Sequence, residues 1–175
     1  MAKDSFASDG VPRDMRTAEV STPLGVFRLG YLGRSVVYND LMERGVERFG
    51  VPPTGPIEHG PFAQGSPPDQ LNDYFLGKRR TFDVDLHLVR GSEFDRKVWF
   101  ELARIPYGSS LTYGEVAERI RKPRAARAVG GAAHRNPIPI MIPCHRLVGK
   151  GGGLTGFGLG IWRKKWLLDH EGVKA

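Results

Sequence analysis

The chain contains one cysteine, Cys144, and it is followed directly by His145 and Arg146. A thiolate is a strong nucleophile, and a proton acceptor or a cation beside a thiol favours that form. Pro137, Pro139 and Pro143 stiffen the approach, and Ile138, Ile140, Met141, Ile142, Leu147 and Val148 surround the cysteine with apolar residues. A cysteine in such a setting is most often inert core. The His and Arg neighbours are what set this one apart, although neighbours in sequence need not meet in space. With one thiol, an intramolecular disulfide is excluded, as is any zinc site with two or more thiolates. A single free thiol fits a reducing compartment.

The elements ahead of this stretch read as helices. Ser92 can cap a helix whose stripe is Phe94, Val98, Trp99, Leu102 and Ile105, and Pro106-Tyr107-Gly108 breaks it. Thr112 and Glu115 have the spacing of a capping box, opening a second helix with Val116, Ala117 and Ile120 buried. Pro123 suits the first turn of a third helix, from Arg124 to about His134. Two short helices joined by a tight turn fit a helix-turn-helix. The third helix carries Ala125, Ala126, Ala128, Gly130, Gly131, Ala132 and Ala133. Such small side chains let a backbone approach either a neighbouring helix or a DNA groove. The last helix, Ile161 to Glu171, is expected to bury Trp162 or Trp166 with Leu167 and Leu168, leaving Arg163, Lys164 and Lys165 as a solvated face.

The first half has a different character. Residues 17–40 read as short strands with turns at Pro23-Leu24-Gly25 and Gly33-Arg34. Residues 50–68 hold six prolines and four glycines and read as a loop, and residues 1–16 as a loose tail. A helix over residues 69–76 presents Leu71, Tyr74 and Phe75, and Gly77 ends it. Residues 81–88 alternate strictly, with Phe82, Val84, Leu86 and Leu88 on one face of a strand. The charge divides in the same place. Residues 1–90 carry 11 Lys and Arg against 12 Asp and Glu, whereas residues 91–175 carry 15 against 7. All of the +7 net charge therefore sits in the second half, which suits a polyanion such as nucleic acid or a merely basic surface. No apolar run is long enough to span a membrane, and the polar N-terminus has no secretory character.

The stretch Ile142-Pro143-Cys144-His145-Arg146-Leu147-Val148 resembles the active-site signature of the O6-alkylguanine-DNA alkyltransferases, the methylated-DNA–protein-cysteine methyltransferases. The run from Pro123 to Ala132, the pair Asn136-Pro137, the Gly-rich run from Gly153 to Gly158, and Lys164, Leu167, Leu168 and Glu171 all fall at that family's spacing. The likeness is strong from about Phe94 to Gly172. It is weaker over residues 18–88, where Thr22-Pro23-Leu24-Gly25 and Gln70, Leu71, Tyr74 and Phe75 also match.

The resemblance implies an α+β fold. A small ribonuclease-H-like antiparallel sheet domain over residues 1–90 would precede a winged helix-turn-helix-like domain over 91–175. It implies a DNA repair protein that flips O6-alkylguanine, and O4-methylthymine as well, from duplex DNA and moves the alkyl group irreversibly to Cys144. His145 would take the thiol proton through a water, Glu171 would orient His145, and Asn136 would be a hinge between the recognition helix and the cysteine loop. Arg127 would be the finger that replaces the flipped base, with Tyr113, Gly114, Ala126, Gly130 and Arg135 also at the DNA. Tyr113, Pro139, Val148, Phe157, Gly158, Leu159 and Lys164 would line the substrate pocket. Phe157 stands where many relatives have Tyr, and Leu159-Gly160 where a Gly-Gly pair is common. Leu159 would narrow the pocket. No cofactor or metal is expected, and the zinc carried by some relatives does not transfer to a chain with one cysteine. A monomer acting on double-stranded DNA is expected, without a membrane partner, in the cytoplasm (nucleoid) of a prokaryote or the nucleus of a eukaryote.

Gly151, Gly153 and Gly156 also fit the dinucleotide-binding fingerprint, but no strand–helix–strand unit fits after them, so they read as a mobile wing. A non-catalytic lesion-binding protein would not need Cys144. A Cys-His hydrolase would give no reason for the basic half.

Overall fold

Alternating strands and tight turns account for the first unit of the chain. The computed structural model describes residues 12, 14–42 and 55–173. It divides into two compact units, Met1–Arg90 and Gly91–Ala175. The tail expected over residues 1–16 and the start of the loop expected over 50–68 lie largely outside the described residues.

In the first unit, β1 (Arg16–Thr22), β2 (Gly25–Leu32) and β3 (Ser35–Leu41) form an antiparallel meander. The turn after β1 is closed by the Thr22 hydroxyl, which donates to the Gly25 carbonyl at 2.7 Å and accepts from the Leu24 amide at 3.1 Å. The expected antiparallel sheet needs correcting at its edges. The strand order is β4-β1-β2-β3-β5, and both outer strands, β4 (Ile57–His59) and β5 (Asp85–Leu86), pair in parallel. A short edge strand thus lies within the Pro/Gly-rich segment, where proline's missing donor is tolerated.

The strand expected over 81–88 shrinks to the two residues of β5, because only Ser35 and Val36 of β3 pair with it. Its alternation survives as burial: Val84 and Leu88 face inward, while Thr81 and Asp83 are exposed. Helix α1 (Pro67–Phe75) begins on two prolines, where the missing amides cost nothing, and buries Leu71, Tyr74 and Phe75. The Phe75 ring lies 5.8 Å from that of Phe27 on β2, fixing α1 on the sheet.

The second unit carries the helices expected from Ser92 onward. Helix α2 (Glu93–Ala103) opens with a capping box between Ser92 and Asp95, and α3 (Tyr113–Arg119) opens with the one between Thr112 and Glu115. Helix α4 (Ala126–His134) starts two residues later than expected. Arg121, a non-glycine at φ 58°, ends α3, and Pro123 and Arg124 are the central residues of a separate turn closed by the Ala125 amide on the Lys122 carbonyl at 2.8 Å, so the proline precedes the helix rather than opening it. Ile120 is half-buried, not core.

Strands β6 (Leu111–Thr112) and β7 (Leu147–Val148) pair in parallel. A 3-10 turn, Cys144–Arg146, leads into β7, and α5 (Ile161–His170) packs against that turn. Neither α5 tryptophan enters the core: Trp162 is 56% exposed, and Trp166 is half-buried and stacked on His170 with ring centres 4.9 Å apart. Lys164 is buried in their place. Among the described residues no helix is long and apolar enough to cross a membrane.

Candidate active site

Asn136 organises the loop that holds the cysteine. It follows α4 directly, and its side chain uses both ends. The Oδ1 accepts from the Ile138 amide at 3.0 Å, while the Nδ2 donates to the Ile142 carbonyl at 2.8 Å and to Cys144 Sγ at 3.1 Å. One buried amide thus ties the end of α4, the turn through Ile140 (φ 75°) and the sulfur together. A hydrogen bond aimed at the sulfur favours its negatively charged form. Cys144 is 8% exposed, at the start of the 3-10 turn.

The next two residues face α5. His145 is fully buried, and its Nε2 lies 2.8 Å from Glu171 Oε1. Arg146 turns to the same carboxylate, its Nε to Oε2 at 2.8 Å and its Nη2 to Oε1 at 2.9 Å, and its Nη1 donates to the Ile105 carbonyl. Its place in the sequence offers Arg146 as a cation for the thiol. Instead its guanidinium is committed to Glu171, 25 residues away. The Gly108 amide adds a longer contact to Glu171 at 3.4 Å.

Burial alone would raise the Glu171 carboxyl. The hydrogen bonds and charges of His145 and Arg146 outweigh it and hold the group well below the usual carboxylate range. Burial lowers the His145 imidazole, with Arg146 and Lys164 adding to the effect and Glu171 opposing it. The pair is therefore a carboxylate and a neutral ring, with Arg146 supplying the balancing charge. A carboxylate only accepts, so Nε2 must carry the proton and Nδ1 the lone pair. Nδ1 is buried and has no hydrogen-bond partner among the described residues. The arrangement leaves a neutral ring with a lone pair on Nδ1, backed by a carboxylate, in the residue next along the chain from the one cysteine.

Two further side chains close on the segment after β7. The Tyr113 hydroxyl donates to the carbonyls of Thr155 at 2.9 Å and Gly156 at 3.3 Å. Lys164 Nζ donates to the same Thr155 carbonyl at 2.9 Å and sits 5.8 Å from the centre of the Tyr113 ring. Lys164 has no exposed surface. The solvated face expected at 163–165 is thus wrong at its centre, while Arg163 donates to the Leu159 carbonyl and the exposed Lys165 pairs with Asp169. Burial lowers the Lys164 ammonium to about 8, and the negative charge of Cys144 opposes the shift. Burial raises the Tyr113 hydroxyl, the Thr155 contact opposes this, and the Cys144 charge adds to it. Both groups therefore lie within electrostatic reach of the sulfur.

Pro139, Val148 and Leu159 are buried, Phe157 is half-buried and Gly158 is exposed. On α4, Arg127 and Ala128 are exposed, Ala126 and Gly130 are half-buried, and Val129 and Ala132 face inward. Gly130 lies against the Tyr113 ring, where an added Cβ would touch it at 3.5 Å. Gly114, in the first turn of α3, is half-buried. Arg135, just past α4, is paired with Asp95 at 2.6 Å while keeping 57% of its side chain exposed. Among the described residues no group of three or more His, Cys, Asp and Glu could hold a metal ion. Sequence reasoning missed the fork of Arg146 on Glu171, the pairing of Asp95 with Arg135 and the shared Thr155 carbonyl. Alternation and spacing carry no sign of these contacts, since each joins residues 9 to 42 positions apart.

Residues 93–173 match the family model of the 6-O-methylguanine DNA methyltransferase DNA-binding domain. A methylated-DNA–protein-cysteine methyltransferase of Mycolicibacterium paratuberculosis is 46% identical over 152 residues, 87% of this chain and 89% of the relative. The crystal structure of Mycobacterium tuberculosis O6-methylguanine methyltransferase superposes with a TM-score of 0.75 at 41% identity, covering 90% of this chain and 92% of that one. The structure of M. tuberculosis OGT in complex with DNA gives 0.75 at 40% identity, with coverage of 89% and 92%.

Proposed function

The chain belongs to the methylated-DNA–protein-cysteine methyltransferase family, which repairs DNA by alkyl transfer to a cysteine, and from this premise we infer that Cys144 is the acceptor and that His145, Glu171 and Asn136 prepare it. The observation that carries the inference is the buried cluster in which Asn136 reaches Cys144 Sγ at 3.1 Å while His145 meets Glu171 at 2.8 Å. The thiol proton passes through a water to Nδ1 of the neutral His145, and Glu171 stabilises the imidazolium formed. The thiolate attacks the saturated carbon on O6 of guanine. A carbon–sulfur bond forms as the carbon–oxygen bond breaks, and the purine leaves with the bonding pair. Tyr113 can donate a proton to that leaving base once its hydroxyl releases the Thr155 and Gly156 carbonyls. The thioether is not hydrolysed, so each molecule reacts once.

The target oxygen lies within a stacked duplex, so the nucleotide must be turned out to reach the sulfur. Arg127, exposed on the small-residue face of α4, takes its place in the stack. Ala126 and Gly130 let the helix approach the groove, and Tyr113, Gly114 and Arg135 complete the contact. Pro139, Val148, Phe157, Gly158 and Leu159 border the base and alkyl group, with Lys164 holding the Gly-rich segment over them. O4-methylthymine offers the same exocyclic alkyl oxygen and is a second substrate. The partner is double-stranded DNA, and the protein works as a monomer in the compartment of the chromosome, the nucleoid of a prokaryote or the nucleus of a eukaryote.

The finger role separates duplex from single-stranded substrate. Arg127→Ala is expected to slow single-turnover methyl transfer from duplex DNA by about 10- to 100-fold, the cost of holding a base unstacked. Transfer from a single-stranded oligonucleotide should change by less than about threefold. Equal losses on both substrates would remove the finger role and leave Arg127 a general phosphate contact.

A further inference from the structure

We propose that Arg146 is a positioning residue for the transfer: by sharing the Glu171 carboxylate with His145, it fixes which imidazole nitrogen is free and sets the pH below which the site stops working. The proposal rests on the reading of His145 as the base. Three contacts support it. The Arg146 fork occupies Oε2 and part of Oε1 of Glu171, leaving Oε1 directed at Nε2 of His145, and its Nη1 is tied to the Ile105 carbonyl, so the fork has a fixed seat. All three side chains are nearly or fully buried. A guanidinium cannot lose its proton, so its charge at this seat is permanent.

The consequence follows from charge balance. A buried carboxylate facing an imidazole alone would draw a proton onto the ring and occupy the base at neutral pH. With Arg146 already balancing Glu171, the ring has no such need and stays neutral, in line with its lowered proton affinity. Other charged and titratable groups sit on the elements packed against His145. Cys144 shares its turn, and Tyr107 follows α2, its ring 5.9 Å from the Arg146 guanidinium. Lys164, Lys165, Asp169 and His170 lie on α5, and the buried acids of α2, Asp95 and Glu101, pair with Arg135 and with Arg119 and Arg104. Of these, Lys164 acts on the ring with the same sign as Arg146, so it cannot substitute for Glu171 in raising it.

The test is the pH dependence of the single-turnover rate of methyl transfer from duplex O6-methylguanine DNA. The alkylated fraction at completion is measured alongside it to count active molecules. In the wild type the rate falls on the acid side as His145 gains a proton. Arg146→Gln is expected to move that midpoint up by about one pH unit, because Glu171 is then balanced only by the ring. Arg146→Lys keeps the charge but loses the fork, so its midpoint should stay near the wild-type value with a maximal rate about tenfold lower. A merely structural role would lower the alkylated fraction and move neither quantity. If Arg146→Gln does not accumulate folded, Arg146→Lys decides: a wild-type maximal rate overturns the proposal. Should the wild-type profile show no acid limb, the base reading of His145 fails; a limb that Arg146→Gln leaves in place defeats the role of Arg146 alone.

Discussion

A Cys144→Ser protein is expected to bind methylated duplex DNA and accept no methyl group from it. Serine is nearly the same size as cysteine, and Asn136 Nδ2, 3.1 Å from the sulfur, can donate to a hydroxyl as it does to Sγ. The loop from Asn136 to Cys144 should therefore keep its shape. The chemistry does not survive. A hydroxyl is far harder to ionise than a thiol and is a poorer nucleophile towards saturated carbon, so the transfer rate should fall by more than about 10⁴-fold. The chain has no other cysteine to take over. DNA affinity, measured by fluorescence anisotropy, should stay within about threefold of the wild type, because the proposed DNA contacts lie on α4 and the basic residues of the second unit rather than on the sulfur. A variant that still accumulates one methyl per molecule would show that the acceptor lies elsewhere.

The second large effect concerns stability. Glu171→Leu removes the one carboxylate that answers both His145 and Arg146. The guanidinium, almost wholly buried, is then left with only the Ile105 carbonyl among these partners. Breaking a buried pair in this way costs about 3–5 kcal/mol, a large share of the 5–15 kcal/mol that stabilises an ordinary domain. The thermal midpoint of the second unit should fall by more than about 10 °C. Glu171→Gln keeps the volume and one acceptor oxygen and should lose less. The sign with pH follows from the same group. Glu171 is held below its unfolded value, so its contribution is fully present above about pH 4.5 and is lost as pH falls through the folded value. The His145 ring, also lowered, adds a loss of the same sign beginning below about pH 6.5. The Glu171→Leu protein should therefore show a shallower acid dependence of its thermal midpoint than the wild type. An unchanged midpoint at pH 7 would mean that the buried cluster contributes nothing to folding.

What could be read in the sequence was local. Ser92 and Thr112 announced their helices because a cap needs only the residues three places on. Leu71, Tyr74 and Phe75 marked their face because the helical period needs nothing from elsewhere. The errors came where distant partners decide. The alternation over 81–88 gave the buried face but not the length of the ladder, which is set by how little of β3 is offered to it. The miss at Pro123 is a local one: proline suits a helix start, yet here it sits in the Lys122–Ala125 turn that precedes the helix at Ala126. Lys164, between two other cations, looked like solvated surface. It is buried because the Thr155 carbonyl and the Cys144 charge give an ammonium something to face. The family's spacing named His145 and Glu171 together, but only the fold shows that Arg146 shares the Glu171 carboxylate with His145 as a third party. Nothing in a His-Arg dipeptide says that the arginine will turn away from the thiol and towards a carboxylate 25 residues on.

The central claim is that one sulfur takes the alkyl group and keeps it. Incubating the wild-type protein with excess duplex DNA carrying O6-methylguanine, then measuring its intact mass and the mass of its peptides, tests this directly. The account predicts a gain of one methyl, about 14 Da, on the peptide that contains Cys144, with repaired guanine in equal amount and no further turnover. A methyl group found on another residue, or more than one guanine restored per protein molecule, would contradict it.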